Sequence, residues 1–340
     1  MKFQDQRPAS DFSTRQLAWN MGIDEKFSSV TEKVAESRVA VLLCTYQGQK
    51  YLSEQLSSIE KQVHKNWAVW ASDDGSSDDT REILEGFQAR WGRNRMLIRS
   101  GPRGGFAANF LSLVSNVAIR ADYYSFADQD DIWDPVKIQR AVSWLSSVPK
   151  HIPALYCART ILVDEDNREI GFSPFFSRPP CFANALVQNI GAGNTMVFNE
   201  AAREILLRAG NSNVVSHDWW TYLVVSGCGG RVYYDSNPSL RYRQHGRNLI
   251  GSNMGLCARV SRVKMMLAGI FREWNDRNVK ALEVIRDELT PENERILALF
   301  LDARRRRFLP RVIGLIRSGV HRQTMMGNLG LVLAAIFRKI

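Results

Sequence analysis

Between residues 38 and 148, short apolar runs alternate with segments that carry apolar residues at helical spacing. This alternation constrains the fold more than any other feature of the sequence. Strands that alternate with helices form a parallel sheet covered by helices, so we expect an α/β fold. The predicted strands are residues 39–44, 67–71, 96–98 and 123–127, and the predicted helices are residues 51–62, 80–91, 106–119 and 135–148.

The rest of the chain divides in two by its pattern. Residues 150–250 hold shorter apolar runs separated by Gly, Pro and Asn, which is typical of a mixed half that completes the site of such a sheet. From residue 255 onward the pattern is mostly helical. We therefore expect an N-terminal extension over residues 1–36, an α/β domain over residues 37–250 and a helical, basic region over residues 251–340.

Composition excludes several classes of protein. The five cysteines are scattered and form no CxxC pair, which argues against a disulfide framework and against a structural zinc site. The first ten residues are polar, and no run reaches the roughly 18 apolar residues of a membrane span. We expect a cytoplasmic protein.

Polar clusters follow all four predicted strands, where parallel sheets bind ligands. After the fourth strand, the carboxylates of Asp128, Asp130 and Asp131 would repel one another unless a cation joined them. Such oxygen ligands suit Mg²⁺ or Mn²⁺ shared with a substrate diphosphate. The alternative is a solvated acidic turn that caps the next helix.

The other clusters suit a nucleotide ligand. Asp73 and Asp74 can accept hydrogen bonds from a base or a ribose hydroxyl, although part of this segment serves as a strand–helix turn. The glycines near Gly105 permit close approach of a ligand, with Asn109 one helical turn further on. A plain connecting loop is an equally good interpretation of the glycines.

Two later segments offer side chains for catalysis. Asp218 precedes an apolar helix, so it is either a general base or a helix cap. Arg243 and His245 follow a predicted strand and would neutralise leaving-group charge on a diphosphate. Structural roles are the alternative for both.

Seven segments resemble, in the same order, those of family 2 glycosyltransferases, over roughly residues 39–250. Within that family the chain is most similar to bacterial rhamnosyltransferase-type enzymes of surface polysaccharide assembly. The segments are CTYQG at 44–48, YLSEQLSSI at 51–59, SDDGSSDDT at 72–80, GFAANF at 105–110, FADQDDIW at 126–133, HDWW at 217–220 and RQHG at 243–246.

The resemblance implies a GT-A fold, a nucleotide-sugar-binding sheet with a mixed C-terminal half, and inverting transfer from a dTDP- or UDP-sugar. It implies that Asp218 is the general base. It also implies Mg²⁺ or Mn²⁺ bound by Asp130, with His245 and Asp131 as further ligands. The implied substrate-binding residues are Thr45, Tyr46, Asp73, Asp74, Gly105, Asn109, Asp128, Gly193, Asn194 and Arg243.

Two departures from the family pattern matter. Gln47 stands where the family usually has Asn, and it keeps the amide. The QxxRW motif of processive members is missing after residue 230, which favours the addition of a single sugar. The rival hypotheses are a nucleotidyltransferase and a membrane-surface scaffold with an inactive transferase domain.

Basic residues concentrate at the C-terminal end: residues 255–340 hold 17 Lys and Arg against 8 Asp and Glu. The arginines at 304–307 and the apolar run at 329–337 suit a helix on an anionic leaflet, or else a helix packed on the catalytic domain. No RNA- or DNA-binding motif accompanies them, so we expect no nucleic-acid partner. We expect a glycan or polyprenyl-diphosphate-linked acceptor and a place at the inner face of the plasma membrane.

Overall fold

The computed structural model describes residues 34–210, 213–245, 264–266 and 268–340. A short helix predicted near residues 14–21 lies outside these ranges, as do most of the N-terminal extension and the glycine of the RQHG segment.

Two sheets are built from the strands of the described residues. The larger has seven strands and the smaller has four. The strands are β1 (Val39–Thr45), β2 (Trp67–Asp73), β3 (Met96–Ser100), β4 (Tyr123–Ala127), β5 (Ile132–Trp133), β6 (Ala154–Ala158), β7 (Ile161–Val163), β8 (Glu169–Phe172), β9 (Val197–Asn199), β10 (Arg231–Asp235) and β11 (Leu240–Arg243).

The larger sheet has the strand order β10-β6-β9-β4-β1-β2-β3. Within the run β4-β1-β2-β3, each strand is parallel to the next. Strand β10 is parallel to β6. Strand β9 is antiparallel to both β4 and β6. The four strands predicted from apolar runs are confirmed, and their carboxyl ends lie at one edge of the sheet.

Helices follow these strands as predicted, and several begin at recognisable caps. The Asn199 side chain accepts from the N–H of Ala202, and Thr290 and Thr324 cap later helices in the same way. The helices are α1 (Leu52–Glu60), α2 (Thr80–Trp91), α3 (Phe106–Val114), α4 (Lys137–Leu145), α5 (Phe182–Ala185), α6 (Glu200–Ala209), α7 (His217–Gly227), α8 (Ile270–Leu282), α9 (Pro291–Arg305), α10 (Phe308–Arg317) and α11 (Met325–Ile336).

The smaller sheet, with the order β5-β11-β7-β8, is absent from the sequence prediction. Arg243 was expected after a strand, but it is the last residue of β11. Strands of two to four residues produce no apolar run that periodicity can detect. This sheet holds Arg243 and His245 beside the acidic cluster at residues 128–131.

The C-terminal helices share the core of the α/β domain. Leu297, Phe300 and Leu331 belong to the same buried cluster as Phe126 of β4 and Trp220 of α7. A second cluster covers the opposite face of the sheet. In the described part of the chain, no helix is long and apolar enough to cross a membrane.

Candidate active site

The polar residues at the ends of β1 and β2 meet at one edge of the sheet. Thr45 and Asp73, predicted to follow these strands, are their last residues. Thr45 pairs in register with Asp73, and Asp73 pairs with Ser100 of β3. The Thr45 hydroxyl donates to Asp73 at 2.9 Å. Asp73 also accepts from the hydroxyl and the main-chain N–H of Ser76, at 2.5 and 3.0 Å. The buried Asp73 side chain therefore stabilises the turn that follows β2.

Asp74 does not share the partners of Asp73. Its side chain bonds to the glycine loop, which we define as residues 101–105. Its carboxylate accepts from the main-chain N–H groups of Arg103 at 2.6 Å and Gly105 at 3.1 Å. Gly105 has φ +84°, a conformation that favours glycine. The amide of Asn109 donates to the carbonyl of Ser72 at 2.9 Å. Strand β2 and the glycine loop are thereby fixed to each other.

Gln129 is a residue that the sequence reasoning missed. Its side-chain oxygen accepts from the N–H of Tyr46 at 2.8 Å, and its amide donates to the carbonyl of Tyr46 at 3.0 Å. This bidentate contact ties the end of β1 to the acidic cluster and leaves the Tyr46 ring largely exposed. An exposed aromatic ring at a strand end suits stacking against a base.

Negative charge is concentrated after β4. Burial and the charges of Asp130 and Asp218 raise the pKa of Asp128 to about 8. Gly193 donates to Asp218 and the adjacent Asn194 donates to Asp131, so the acidic cluster and the N-terminus of α7 meet at one turn. Asp130 Oδ2 lies 2.7 Å from His245 Nε2, and Tyr51 stacks on the His245 ring with centroids 5.3 Å apart. Asp130 and His245, which were both predicted as metal ligands, are therefore within hydrogen-bond distance of each other.

Asp131 points into the protein. Its carboxylate is fully buried and accepts from the Asn194 amide at 2.5 Å and from the Arg243 N–H at 3.4 Å. Burial and the charges of Asp130 and Asp128 hold its pKa well above the usual value. Asn194 lies in a 3₁₀ turn over Gly193–Thr195. Neighbouring acids thus face in different directions.

Arg243 is buried and bonded within the protein. Its guanidinium donates to the carbonyls of Asp130 at 3.1 Å and Glu165 at 2.7 Å, and it forms an ion pair with Glu54. It also lies over the Tyr51 ring at 4.5 Å. These contacts favour a role in positioning the acidic cluster over direct contact with a diphosphate.

Asp218 lies in the first turn of α7. It accepts from the N–H of Gly193 at 3.1 Å and from its neighbour Trp219 at 2.7 Å. The preceding residue, His217, is buried and stacks on Phe110 with centroids 3.8 Å apart. Within the described residues, neither ring nitrogen of His217 has a hydrogen-bond partner. The Asp218 carboxylate is thus held by two main-chain N–H groups. The first residue of α7, His217, packs against the ring of Phe110.

The site suits a divalent cation only in part. No three His, Cys, Asp or Glu side chains of the described residues converge to hold a metal ion. Asp130 and His245 are donors that Mn²⁺ accepts, and the crowded charge around Asp128 would be relieved by a cation. A metal held by two side chains would take its remaining ligands from a diphosphate and water.

A mostly parallel sheet with acidic and polar residues at its carboxyl edge, completed by a mixed half, fits the expectation of a nucleotide-sugar-dependent glycosyltransferase of the GT-A fold. The chain belongs to glycosyl transferase family 2, whose family model matches residues 40–206. It is 30% identical over 239 residues to dTDP-rhamnosyl transferase RfbG of Shigella flexneri, an alignment that spans 66% of this chain and 78% of that protein. The expected fold class and enzyme class are confirmed.

Two further likenesses are weaker. A glucosyltransferase of Escherichia coli, UDP-Glc:alpha-D-GlcNAc-diphosphoundecaprenol beta-1,3-glucosyltransferase WfgD, is 27% identical over 46% of this chain and 57% of its own. The crystal structure of S. aureus TarS 1-349 aligns with a TM-score of 0.49 at 14% identity, over 89% of this chain and 90% of that chain.

Proposed function

We propose that this enzyme moves a single rhamnose from dTDP-rhamnose to a glycan or polyprenyl-diphosphate-linked acceptor in surface polysaccharide synthesis, with inversion and with Mg²⁺ or Mn²⁺. The observation that carries the proposal is the Asp218 carboxylate, which is held by two main-chain N–H groups and is joined to the acidic cluster through the Gly193–Thr195 turn. The name of the Shigella relative supports dTDP-rhamnose, and that of the E. coli relative supports a lipid-linked acceptor.

Asp218 acts as the base in this mechanism. It removes the proton from the acceptor hydroxyl, which attacks the anomeric carbon from the face opposite the leaving diphosphate, so that the configuration inverts. The N–H groups of Gly193 and Trp219 keep the carboxylate aimed at the acceptor. Asp218 thus supplies the proton transfer from a fixed position.

The donor is held at the edge of the sheet. Tyr46 stacks on the base, Thr45 and Asp73 shape the nucleoside pocket, and Asp74 with Gly105 presents the glycine loop. Asp130 and His245 would hold the cation, with Asp128 directed at the cation or the ribose. When bound, such a cation stabilises the charge that develops on the leaving diphosphate.

Donor turnover tests the proposal. The purified chain is incubated with dTDP-, UDP- and GDP-sugars, with and without Mn²⁺, and released nucleoside diphosphate is assayed. At a Mn²⁺ concentration that is just sufficient for the parent, we expect metal-dependent release from dTDP-rhamnose to be lost in Asp130→Asn and retained in the matched control Asp302→Asn, an exposed acid of α9. NMR of the transferred sugar reports the anomeric configuration.

The other results are equally informative. Release from a UDP- or GDP-sugar alone would show that this nucleotide sugar, and not dTDP-rhamnose, is the donor. Release of pyrophosphate from a nucleoside triphosphate would identify a nucleotidyltransferase. Absence of both turnover and calorimetric donor binding would favour an inactive scaffold.

We also propose that the enzyme works in the cytoplasm as a peripheral protein on the inner face of the plasma membrane. A lipid-linked acceptor would require this position, and the basic C-terminal region supports it.

A further inference from the structure

Helix α10 buries one face and exposes an apolar stripe on the other. Arg311 and Leu315 are buried, whereas Leu309, Ile313 and Ile316 are 73%, 46% and 69% exposed at helical spacing. The Arg311 guanidinium donates to carbonyls at the end of α9 and of α11, so it fixes α10 to its neighbours. The buried face of α10 therefore fixes the orientation in which its apolar residues are exposed.

Helix α11 repeats this arrangement. Leu331 and Ala335 are buried, whereas Met326, Leu329 and Leu333 are exposed. The interpretation of residues 329–337 as a helix packed on the catalytic domain describes the buried face, and the membrane interpretation stays a prediction for the exposed face. Large exposed apolar patches mark interaction sites in folded proteins. We call the exposed apolar side chains of α10 and α11 the α10–α11 surface.

The charged residues within the segment that carries this surface are all basic. Residues 303–340 hold nine Lys and Arg and no Asp or Glu. Arg305, Arg307, Arg317 and Arg338 are exposed. Within the described residues, none of these four forms an ion pair. The exposed apolar residues of α10 and α11 are therefore flanked by arginines that have no acidic partner among the described residues.

We propose that the α10–α11 surface docks onto an anionic phospholipid bilayer, with its apolar side chains at the acyl boundary and its arginines among the phosphates. This deepens the proposed membrane association and names the surface responsible. Amphipathic helices with this division of apolar and basic residues lie in the plane of a membrane interface. A second copy of the chain would bring like charges together at the same surface, which disfavours self-association through it.

A basic cavity continues from the end of α11. Arg338 and Lys339 line a cavity of about 710 Å³ together with Arg272, Arg277 and Lys280 of α8. The acidic residues of its lining are Glu273 and Asp276, and Asp276 accepts from Arg304 at 2.6 Å. Basic residues therefore outnumber acidic ones five to two, which suits a phosphate headgroup at the edge of the docked surface.

Vesicle flotation of the full-length protein tests the inference. Vesicles of pure phosphatidylcholine are compared with vesicles that contain phosphatidylglycerol, at low and high NaCl. We expect binding only to the anionic vesicles, weakened by salt. Leu309→Gln/Ile316→Gln should weaken binding about tenfold or more. Arg305→Gln/Arg307→Gln/Arg317→Gln should weaken it by about fivefold per arginine.

A matched control lies far along the chain. Val117→Gln/Arg120→Gln changes an exposed valine and an exposed arginine of the loop after α3, and it should bind as the parent does. Circular dichroism checks that every variant is folded. Donor turnover should be unchanged in all of them, so failure of the docking surface is distinguishable from failure of the proposed transferase.

Two results would overturn the inference. The first is a parent chain that stays unbound to anionic vesicles at low salt. The second is light scattering that shows a dimer dissolved by Leu309→Gln/Ile316→Gln, which would assign the surface to a second copy.

Discussion

The buried carboxylate of Asp131 accepts a hydrogen bond of 2.5 Å from the amide of Asn194, and it faces the N–H of Arg243 at 3.4 Å. One side chain thereby joins the acidic cluster, the turn that supports Asp218, and strand β11. Asp130, its neighbour, faces His245 in the site. We therefore expect Asp131 to position the catalytic groups and Asp130 to bind the metal.

Substitution of the two neighbouring acids should separate these roles. In Asp131→Asn, the new NH₂ faces either the Asn194 amide or the Arg243 N–H, and a buried unsatisfied donor costs about 1–3 kcal/mol. We expect a lower melting temperature and about a tenfold lower kcat, because the turn beside Asp218 shifts. The Mn²⁺ concentration for half-maximal activity should not change.

Asp130→Asn is the matched comparison. It should require far more Mn²⁺, with little loss of thermal stability, because Asp130 is partly exposed. Metal titration of donor turnover and thermal unfolding measure both effects. An equal rise in the Mn²⁺ requirement of Asp131→Asn would restore Asp131 as a metal ligand.

Asp218→Asn should separate chemistry from binding. The amide oxygen can still accept from the Gly193 N–H, so the bond to that loop is kept, while the NH₂ group then faces the Trp219 N–H. The amide cannot take a proton. We expect transfer to fall by about 10²–10⁴-fold, while the donor dissociation constant stays within about twofold. Rates of transfer and calorimetry with a non-hydrolysed donor provide the two numbers. Transfer at the parental rate would show that another group is the base.

The strand ends of the α/β half were predictable because periodicity and turn chemistry act locally. Runs such as β1 and β4 are buried along their whole length, and each is followed by polar residues. Parallel pairing then brings Thr45, Asp73 and Asp128 to one edge. The position of the site therefore follows from sequence alone.

The direction of each side chain within the clusters was not predictable. Asp73 and Asp74 are adjacent, as are Asp130 and Asp131. Asp73 nevertheless bonds inward to Thr45 and Asp131 to Asn194, both on distant segments. The inward partners, such as Asn194, are separated from these acids by long stretches of chain. Arg243 was expected to bind substrate for the same reason, since its bonds to Glu54 and Glu165 leave no trace in sequence spacing.

Gly101 offers a test of the nucleotide edge. A Cβ there would lie 2.6 Å from the Asp74 carboxylate and 2.8 Å from the Asn109 side-chain oxygen. Gly101→Ala should therefore displace Asp74 and raise the donor KM about tenfold, with a smaller effect on kcat. Gly86→Ala is the control, because a Cβ in the middle of α2 meets nothing within 4 Å. That variant should keep the parental KM and gain up to about 1 kcal/mol of stability. An unchanged KM in Gly101→Ala would show that Asp74 does not contribute to donor binding.

The pH dependence of stability should report His217. Burial lowers the pKa of His217 to about 4, from an ordinary value of 6.5. As the pH falls from 6.5 to 4, the unfolded chain binds a proton at this histidine and the folded chain does not. Stability is therefore complete above pH 6.5 and is lost as the pH falls, by about 3 kcal/mol at most from this group.

Urea unfolding at several pH values between 7 and 4 measures this loss, and substitutions isolate it. His217→Phe keeps a ring that can stack on Phe110 but cannot titrate, so its free energy of unfolding should fall less steeply with pH than that of the parent. His151→Gln, at an exposed histidine, should keep the parental slope. The difference in slope carries the test, because any packing cost of the larger ring is the same at each pH. A parental slope in His217→Phe would mean that this histidine gains a proton in the folded protein, which would require a partner for its ring beside Asp218.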